Sequence, residues 1–466
     1  MHDLEILQRG GYQDEALRTL KLTCALETFP KEILDLGQTL EQLDLSGTGL
    51  SSLPSNFGPS LPNLKIVFFS QCQFKTFPNE LASCPQLEMV AFRGNGMTFV
   101  PEDALPPCLR WLILTDNNLE SLPRSIGNCG RLQKCMLAGN QLESLPEEMR
   151  ECKKLGLLRL SSNRLKALPE WLFDMPELAF LSFAGNPCST PTEETDRVPV
   201  HTNGHTHTRL AHVAWSDLEV HETLGQGASG IISKGLWRID PETRLEVAIK
   251  LFRGALTSDG TPLDEMRACI AAGQHEGIID VLGQIQGHPD EASGSFKGGL
   301  VMQLIPPHYL TLGQPPSLKT CTRDTYPADA ILALDKALNI LTGIASAAAH
   351  LHSKGIAHGD LYAHNILTDT EGHSLLGDFG AATIYDRCVS PLLEKLEILA
   401  FAHLIEEILS LVRAEEDVQV LALLQDLHRR CCVAQVVARP VFTEVIAGLK
   451  LATDAAQNYL SKGLRN

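Results

Sequence analysis

Along the first part of the chain, apolar positions recur with one spacing, L-x-x-L-x-L-x-x-N-x-L-x-x-L-P, clearest at Leu109 to Pro123, Leu132 to Pro146 and Leu155 to Pro169. Units start at Leu40, Leu64, Leu87, Leu109, Leu132, Leu155 and Leu178, in steps of 22 to 24 residues. Alternation at the front of each unit predicts a short strand. In the unit at Trp111 to Thr115, Leu112 and Leu114 turn inward and the other side chains face a concave surface. Asn95, Asn117, Asn140 and Asn163 recur where the strand ends, and an amide there is expected to satisfy backbone groups of the turn. Cys84, Cys129 and Cys152 open the tetrapeptides CPQL, CGRL and CKKL at corresponding positions, where a small buried apolar group suits the packing. A degenerate unit around Leu17 to Pro30 is expected to cap the stack, and the rhythm stops near Asn186.

Self-similarity at this period is the mark of a leucine-rich-repeat solenoid, whose stacked units bury a core that no single unit can bury. One predicted concave column reads Gln42, Ile66, Met89, Trp111, Lys134, Leu157, Phe180, and its neighbour Asp44, Phe68, Ala91, Ile113, Met136, Arg159, Ser182. A contiguous apolar patch on an exposed face marks an interaction site. Ile66, Phe68, Met89, Trp111 and Ile113 are therefore expected to anchor a protein substrate, a regulatory protein or the chain's own downstream domain. From Ser189 to His212 the period gives way to Thr, Pro and His, which reads as a linker. His201, His205, His207 and His212 lack the Cys or carboxylate that would complete a metal shell.

Composition narrows the partners. The 466 residues are 44% hydrophobic and 20% charged, with a formal charge of −17, which is globular but without the clustered cations that nucleic acid or anionic lipid requires. No nucleic-acid or membrane partner is expected. The stretch Met1 to Gly11 has no basic segment followed by an apolar one, and no run approaches a membrane span, so the expected location is the cytoplasm. The 13 scattered cysteines fit free thiols in a reducing compartment.

After the linker, Gly225, Gly227 and Gly230 form a G-x-G-x-x-G loop, followed by a β-rich run ending Val247-Ala248-Ile249-Lys250. Dinucleotide-binding loops of that spacing lead directly into a helix, whereas this strand, turn and strand order carries a Lys beneath the glycines. His358-Gly359-Asp360-Leu361-Tyr362-Ala363-His364-Asn365 and then Asp378-Phe379-Gly380 complete the order. With these four motifs, about Asp217 to Leu449 resembles a eukaryotic-like protein kinase domain. The implied fold is an α/β leucine-rich-repeat solenoid followed by a bilobal α+β protein-kinase-like domain, with bounds at 1–188, 189–212 (linker), 213–456 and 457–466 (tail).

The resemblance implies ATP and Mg2+ as cofactors. Lys250 would hold the α and β phosphates and pair with Glu265, Asp264 being the fallback. Asp360 would accept the substrate hydroxyl proton, and Asn365 and Asp378 would hold magnesium. Gly225, Gly227 and Gly230 would cover the phosphates, Ile232, Ala248 and Leu367 would sandwich adenine, and Met302 with Gln303, Leu304 and Ile305 would link the lobes. A helix from about Ile331 to Lys354 would precede the catalytic loop. Glu397 would take the buried acidic position of the large central helix, and Arg439-Pro440 would fall in the closing motif.

The sequence also departs from the family. Gly359 replaces the usual Arg before the catalytic Asp, removing the cation that pairs with a phosphorylated activation segment. Tyr362 stands where a Lys usually stabilises the transferring phosphate. Only sixteen residues separate Gly380 from Glu397, and no A-P-E element lies among them. The expected function is an ATP-dependent protein kinase, serine/threonine type, beside a nucleotide-binding pseudokinase scaffold and a small-molecule kinase.

Overall fold

A computed structural model describes residues 2–12, 16–189, 210–291, 294, 296–413 and 417–463. The chain falls into two compact units: Met1–Leu178 with Asn186–Cys188, and Ala179–Gly185 with Ser189–Asn466. His201, His205 and His207 lie outside the described residues, as does most of the expected linker.

In the first unit seven strands of three residues pair in parallel and in sequence order: β1 (Thr19–Lys21), β2 (Gln42–Asp44), β3 (Ile66–Phe68), β4 (Met89–Ala91), β5 (Trp111–Ile113), β6 (Lys134–Met136) and β7 (Leu157–Arg159). Their central residues, Leu20, Leu43, Val67, Val90, Leu112, Cys135 and Leu158, are all fully buried, because strand alternation sends one column into the core. The flanking column runs Gln42, Ile66, Met89, Trp111, Lys134, Leu157 in register. Several units return through a short 3-10 turn that begins after a proline, as after Pro78, Pro123 and Pro146, where the preset φ suits the turn.

Asparagines hold the units in register. Asn117 Nδ2 donates to the carbonyls of Phe92 and Leu114, both at 2.9 Å, and its Oδ1 accepts from the backbone N–H groups of Asn95 (3.1 Å) and Met97 (2.9 Å). Asn95, Asn140 and Asn163 repeat the donation to their own turn and to the unit before. These amides are buried, so each group they satisfy would otherwise be stranded away from water.

The second unit begins with β8 (Phe180–Ser182) and β9 (Ala211–Ala214). His212, expected in the linker, lies in β9, which pairs in parallel with β13 (Val281–Gln286). Gly283 permits the approach, since a Cβ there would come within 2.5 Å of Val213 Cγ2. The sheet runs β10-β11-β12-β14-β13-β9, with β10 at Leu218–Gly227, β11 at Gly230–Arg238, β12 at Arg244–Phe252 and β14 at Gly298–Gln303. Val213, Leu218, Val247, Ile249, Ile285 and Val301 form its core. Helix α1 (Pro262–Ala272) starts at Thr261, whose hydroxyl accepts from the Asp264 N–H, with Pro262 at the first helical position.

Beyond β14 the chain is mostly helical. β15 (Leu310–Thr311) pairs with β17 (Ile366–Thr368), which pairs with β18 (Ser374–Leu376), and β16 (Ile356–Ala357) pairs with β19 (Thr383–Ile384). Helix α2 (Leu334–Ser353) buries Leu338, Leu341, Ala345, Ala348 and His352 on one face at helical spacing. Helices α3 (Leu393–Leu411), α4 (Val418–Cys431) and α5 (Phe442–Gly463) complete the lobe.

Replacing Asn117 by Ala is expected to lower unfolding stability by about 3 kcal/mol, because it strands the N–H groups of Asn95 and Met97 in the core and removes one of the two amide donors to each of the Phe92 and Leu114 carbonyls. The exposed neighbour Asn118 serves as control, with Asn118→Ala expected within about 0.5 kcal/mol of the parent. Urea unfolding followed by circular dichroism reads the difference, and equal midpoints for both variants would contradict the role given to the asparagines.

Candidate active site

The geometry starts at β12. Pairing sets Ala248 opposite Met302 and Lys250 opposite Ile232, so the strand carries both an apolar wall and a cation. The Lys250 ammonium bonds the Glu265 carboxylate of α1, and the two side chains are 12% and 2% exposed. Burial works against charge on Lys250, but Glu265 outweighs it, and the ammonium is held above the ordinary lysine range. Glu265 is therefore the partner, while Asp264 turns back to cap the helix through Thr261.

One cavity is lined by Lys250, Glu265, Cys269, Met302, Asp378 and Phe379, among others. Asp378 sits in the left-handed region at φ +50, its Oδ1 accepting from the Gly380 N–H at 3.1 Å. Burial pushes the Cys269 thiol up to about 12, so this cysteine lines the wall as an unreactive apolar group.

The glycine loop divides its labour. A Cβ on Gly230 would lie 2.1 Å from the Leu251 carbonyl, so that glycine is needed for strand packing, whereas Gly225 and Gly227 have nothing within 4 Å and present open backbone. Ile232 lies on β11 and Leu367 on β17, both half-buried, and Leu304 follows β14 where the chain leaves the sheet.

In the catalytic loop, Asn365 Nδ2 donates to the Asp360 carboxylate (2.8 Å) and to its backbone carbonyl (2.9 Å). This leaves the amide oxygen of Asn365 and the carboxylate of Asp378 as hard donors suited to magnesium, which is commonly held by one or two protein carboxylates and substrate phosphates. The loop is held from behind by Glu397 on α3. Its carboxylate accepts from the backbone N–H groups of His358 (3.2 Å) and Gly359 (2.5 Å) and from His352 Nε2 (2.7 Å). Burial alone would raise this carboxyl, but these donors, led by His352, hold it below the ordinary range.

Two holding residues were not found in the sequence. Asp324 accepts from His364 at both the backbone N–H (2.7 Å) and Nδ1 (2.8 Å), fixing the far end of the catalytic loop. It comes from the irregular stretch between β15 and α2, which carries no periodic signal. The other is Phe180, whose place follows from packing alone. Among the three hydroxyls of the shortened segment, Thr383 is fully buried, Tyr385 is buried with its OH 2.9 Å from His352 Nδ1, and Ser390 is half-buried.

A two-lobed unit with a glycine loop, an ion-paired lysine and an Asp, Asn and Asp set defines a nucleotide-dependent phosphotransferase. Residues 218–391 match the family model of protein tyrosine and serine/threonine kinase, and the chain carries a protein kinase domain. It is 56% identical over 43 residues to the Arabidopsis thaliana serine/threonine-protein kinase AtPK1/AtPK6, 9% of this chain and 9% of that protein. It is 25% identical over 178 residues to a probable serine/threonine-protein kinase of Dictyostelium discoideum, 38% of this chain and 11% of that protein. The mouse serine/threonine-protein kinase TNNI3K is 27% identical over 177 residues, 36% of this chain and 18% of that protein. The matched stretches thus span less than a fifth of these relatives.

Burial, and then the nearby Asp324, push the Glu407 carboxyl on α3 from 4.5 up to about 7. The folded chain then binds more protons than the unfolded one between these values. The stability this contributes is present below pH 4.5 and is lost as pH rises through about 7. Glu407→Gln is expected to flatten the fall in melting temperature between pH 5 and pH 8, on the scale of about one to two pH units around that pKa. An unchanged slope would contradict the shift.

Proposed function

We propose that this chain is an ATP- and Mg2+-dependent protein kinase of the serine/threonine type, working in the cytoplasm, with a leucine-rich-repeat unit that binds a protein. The observation that carries the catalytic reading is the buried Lys250–Glu265 pair on the same cavity wall as Asp378, beside an Asp360 already oriented by Asn365. Lys250 neutralises phosphate charge, and Asp360 takes the proton of the acceptor hydroxyl. Asn365 and Asp378 hold magnesium, which supplies charge neutralisation on the phosphates when bound. The serine/threonine assignment is supported by the relatives, which are named as serine/threonine-protein kinases.

The repeat assignment is supported by the 22 to 24 residue period and by a parallel ladder in which the central residue of every strand is fully buried. The partner face is proposed at Ile66, Phe68, Trp111 and Ile113, which are half-buried. Met89, expected on that face, is only 6% exposed, so it contributes little contact area. The Lys134 ammonium lies 4.5 Å from the Trp111 ring centroid, giving the face a polarised aromatic centre. Among the described residues no helix is long and apolar enough to cross a membrane.

Incubating the protein with γ-labelled ATP, magnesium and a mixed protein extract is expected to label protein. Lys250→Met and Asp378→Ala are each expected to lower transfer by at least about a hundredfold in a chain that still folds, as circular dichroism reads, since each removes a group that meets developing phosphate charge. Label on a small molecule, or none above the level of either variant, would overturn the reading. For the repeat face, Phe68→Asp with Trp111→Asp is expected to abolish capture of protein partners without unfolding the chain; full retention of every partner would refute it.

A further inference from the structure

Gly359 and Tyr362, the two positions at which the catalytic loop leaves the kinase pattern, meet the same stretch of chain. Residues Ala179–Gly185 continue the leucine rhythm of the repeats in sequence, yet they belong to the second unit, and Phe180, Leu181, Ser182 and Phe183 are each no more than 3% exposed. The Phe180 ring lies flat on the Tyr362 ring, with centroids 3.9 Å apart and planes 9° from parallel. Tyr362 stacks in turn with His364 at 5.0 Å, and Asp324 holds His364. A run of Phe180, Tyr362, His364 and Asp324 therefore follows the loop on both sides of its turn.

Gly359 answers the same segment through its backbone. Its φ is +72, and a Cβ there would come within 2.8 Å of the Leu181 carbonyl and 2.7 Å of the Ala381 carbonyl. No arginine fits that gap. The segment also reaches the start of the activation stretch, where the Phe183 N–H donates to Thr383 Oγ1 at 3.0 Å, and it reaches Asp259, whose carbonyl accepts from Ser182 Oγ at 3.4 Å. The Phe180 ring approaches His403 of α3 at 6.2 Å.

We propose that Ala179–Gly185 is a built-in positioning segment of the phosphotransfer centre, anchored by Phe180, that holds the catalytic loop and the start of the shortened activation stretch in working geometry. It takes over the task that a loop arginine and a phosphorylated segment share elsewhere, and it rests on the kinase reading for its catalytic consequence. The physical case is that one contact accounts for both departures. A stacked aromatic is wanted where a lysine is usual, and the absence of a side chain is wanted where an arginine is usual. Phe180 is a positioning residue, since it acts on the loop through Tyr362.

The test uses the full chain. Phe180→Ala is expected to lower kcat for phosphate transfer at least tenfold while KM for ATP stays within twofold, and Phe180→Tyr is expected to restore most of the loss. The double variant Phe180→Ala, Tyr362→Ala is expected to lose little more than Phe180→Ala alone, because the two act as one contact. Hydrogen exchange supplies a readout independent of turnover: the amides of residues 359–365 should exchange at least tenfold faster in Phe180→Ala, and those of residues 225–230 should not change. Exchange at the parent rate in the loop, or an unchanged kcat, would overturn the proposal. A raised kcat would overturn it too, by making the segment an obstruction to the acceptor. If the parent protein transfers no phosphate, the kinase reading fails, and loop exchange still decides the positioning role.

Discussion

A carboxylate that cannot reach water must be surrounded by donors, and Glu397 is 3% exposed. Its donors come from three places: a histidine side chain near the end of α2 and two successive backbone N–H groups at the start of the catalytic loop. The requirement to satisfy one buried charge thus ties α2, α3 and the loop that carries Asp360 into a single arrangement. His352 extends the network to Tyr385, within the activation stretch. Removing the carboxylate would leave those N–H groups buried without an acceptor, and so the loop geometry depends on this residue.

The first unit meets the same demand with neutral groups. Each strand end leaves carbonyls and N–H groups in the core, and one asparagine per unit satisfies groups of its own turn and of a neighbouring unit. A charged group would have needed a counter-charge at every step of a repeating stack, whereas an amide both donates and accepts and can recur without limit. The regularity of the ladder follows from that bookkeeping of polar atoms as much as from the leucines.

In the phosphotransfer unit the departures from the family pattern fit together once the chain is folded. Tyr362 and Gly359 look like losses of charge when compared with the motif, yet both fit the contact made by Ala179–Gly185. Thr383 and Tyr385, the hydroxyls one would suspect of carrying a regulatory phosphate, are buried and hydrogen-bonded within the fold.

What the sequence determined by itself was whatever depends on spacing. The repeat register, the buried column and the bridging asparagines lie at fixed offsets within short segments, where backbone geometry converts residue order directly into position, whereas the Lys250–Glu265 pair and the Asp360, Asn365 and Asp378 set were implied by the resemblance of four ordered motifs to a protein kinase domain. Even Glu397 was legible, as the acid that stands where the kinase resemblance puts the buried acidic residue of the central helix. Tertiary structure alone decided the long-range contacts. Asp324 meets His364 forty residues away, β9 joins the sheet edge at β13, and Phe180 is assigned by packing to the unit its sequence rhythm does not suggest. It also decided that Met89 is buried, since burial of a strand side chain depends on what covers the face as well as on its alternation. Such contacts carry no period, because their energy comes from side chains brought together by closure of the whole fold, and no local pattern encodes which distant residue will arrive.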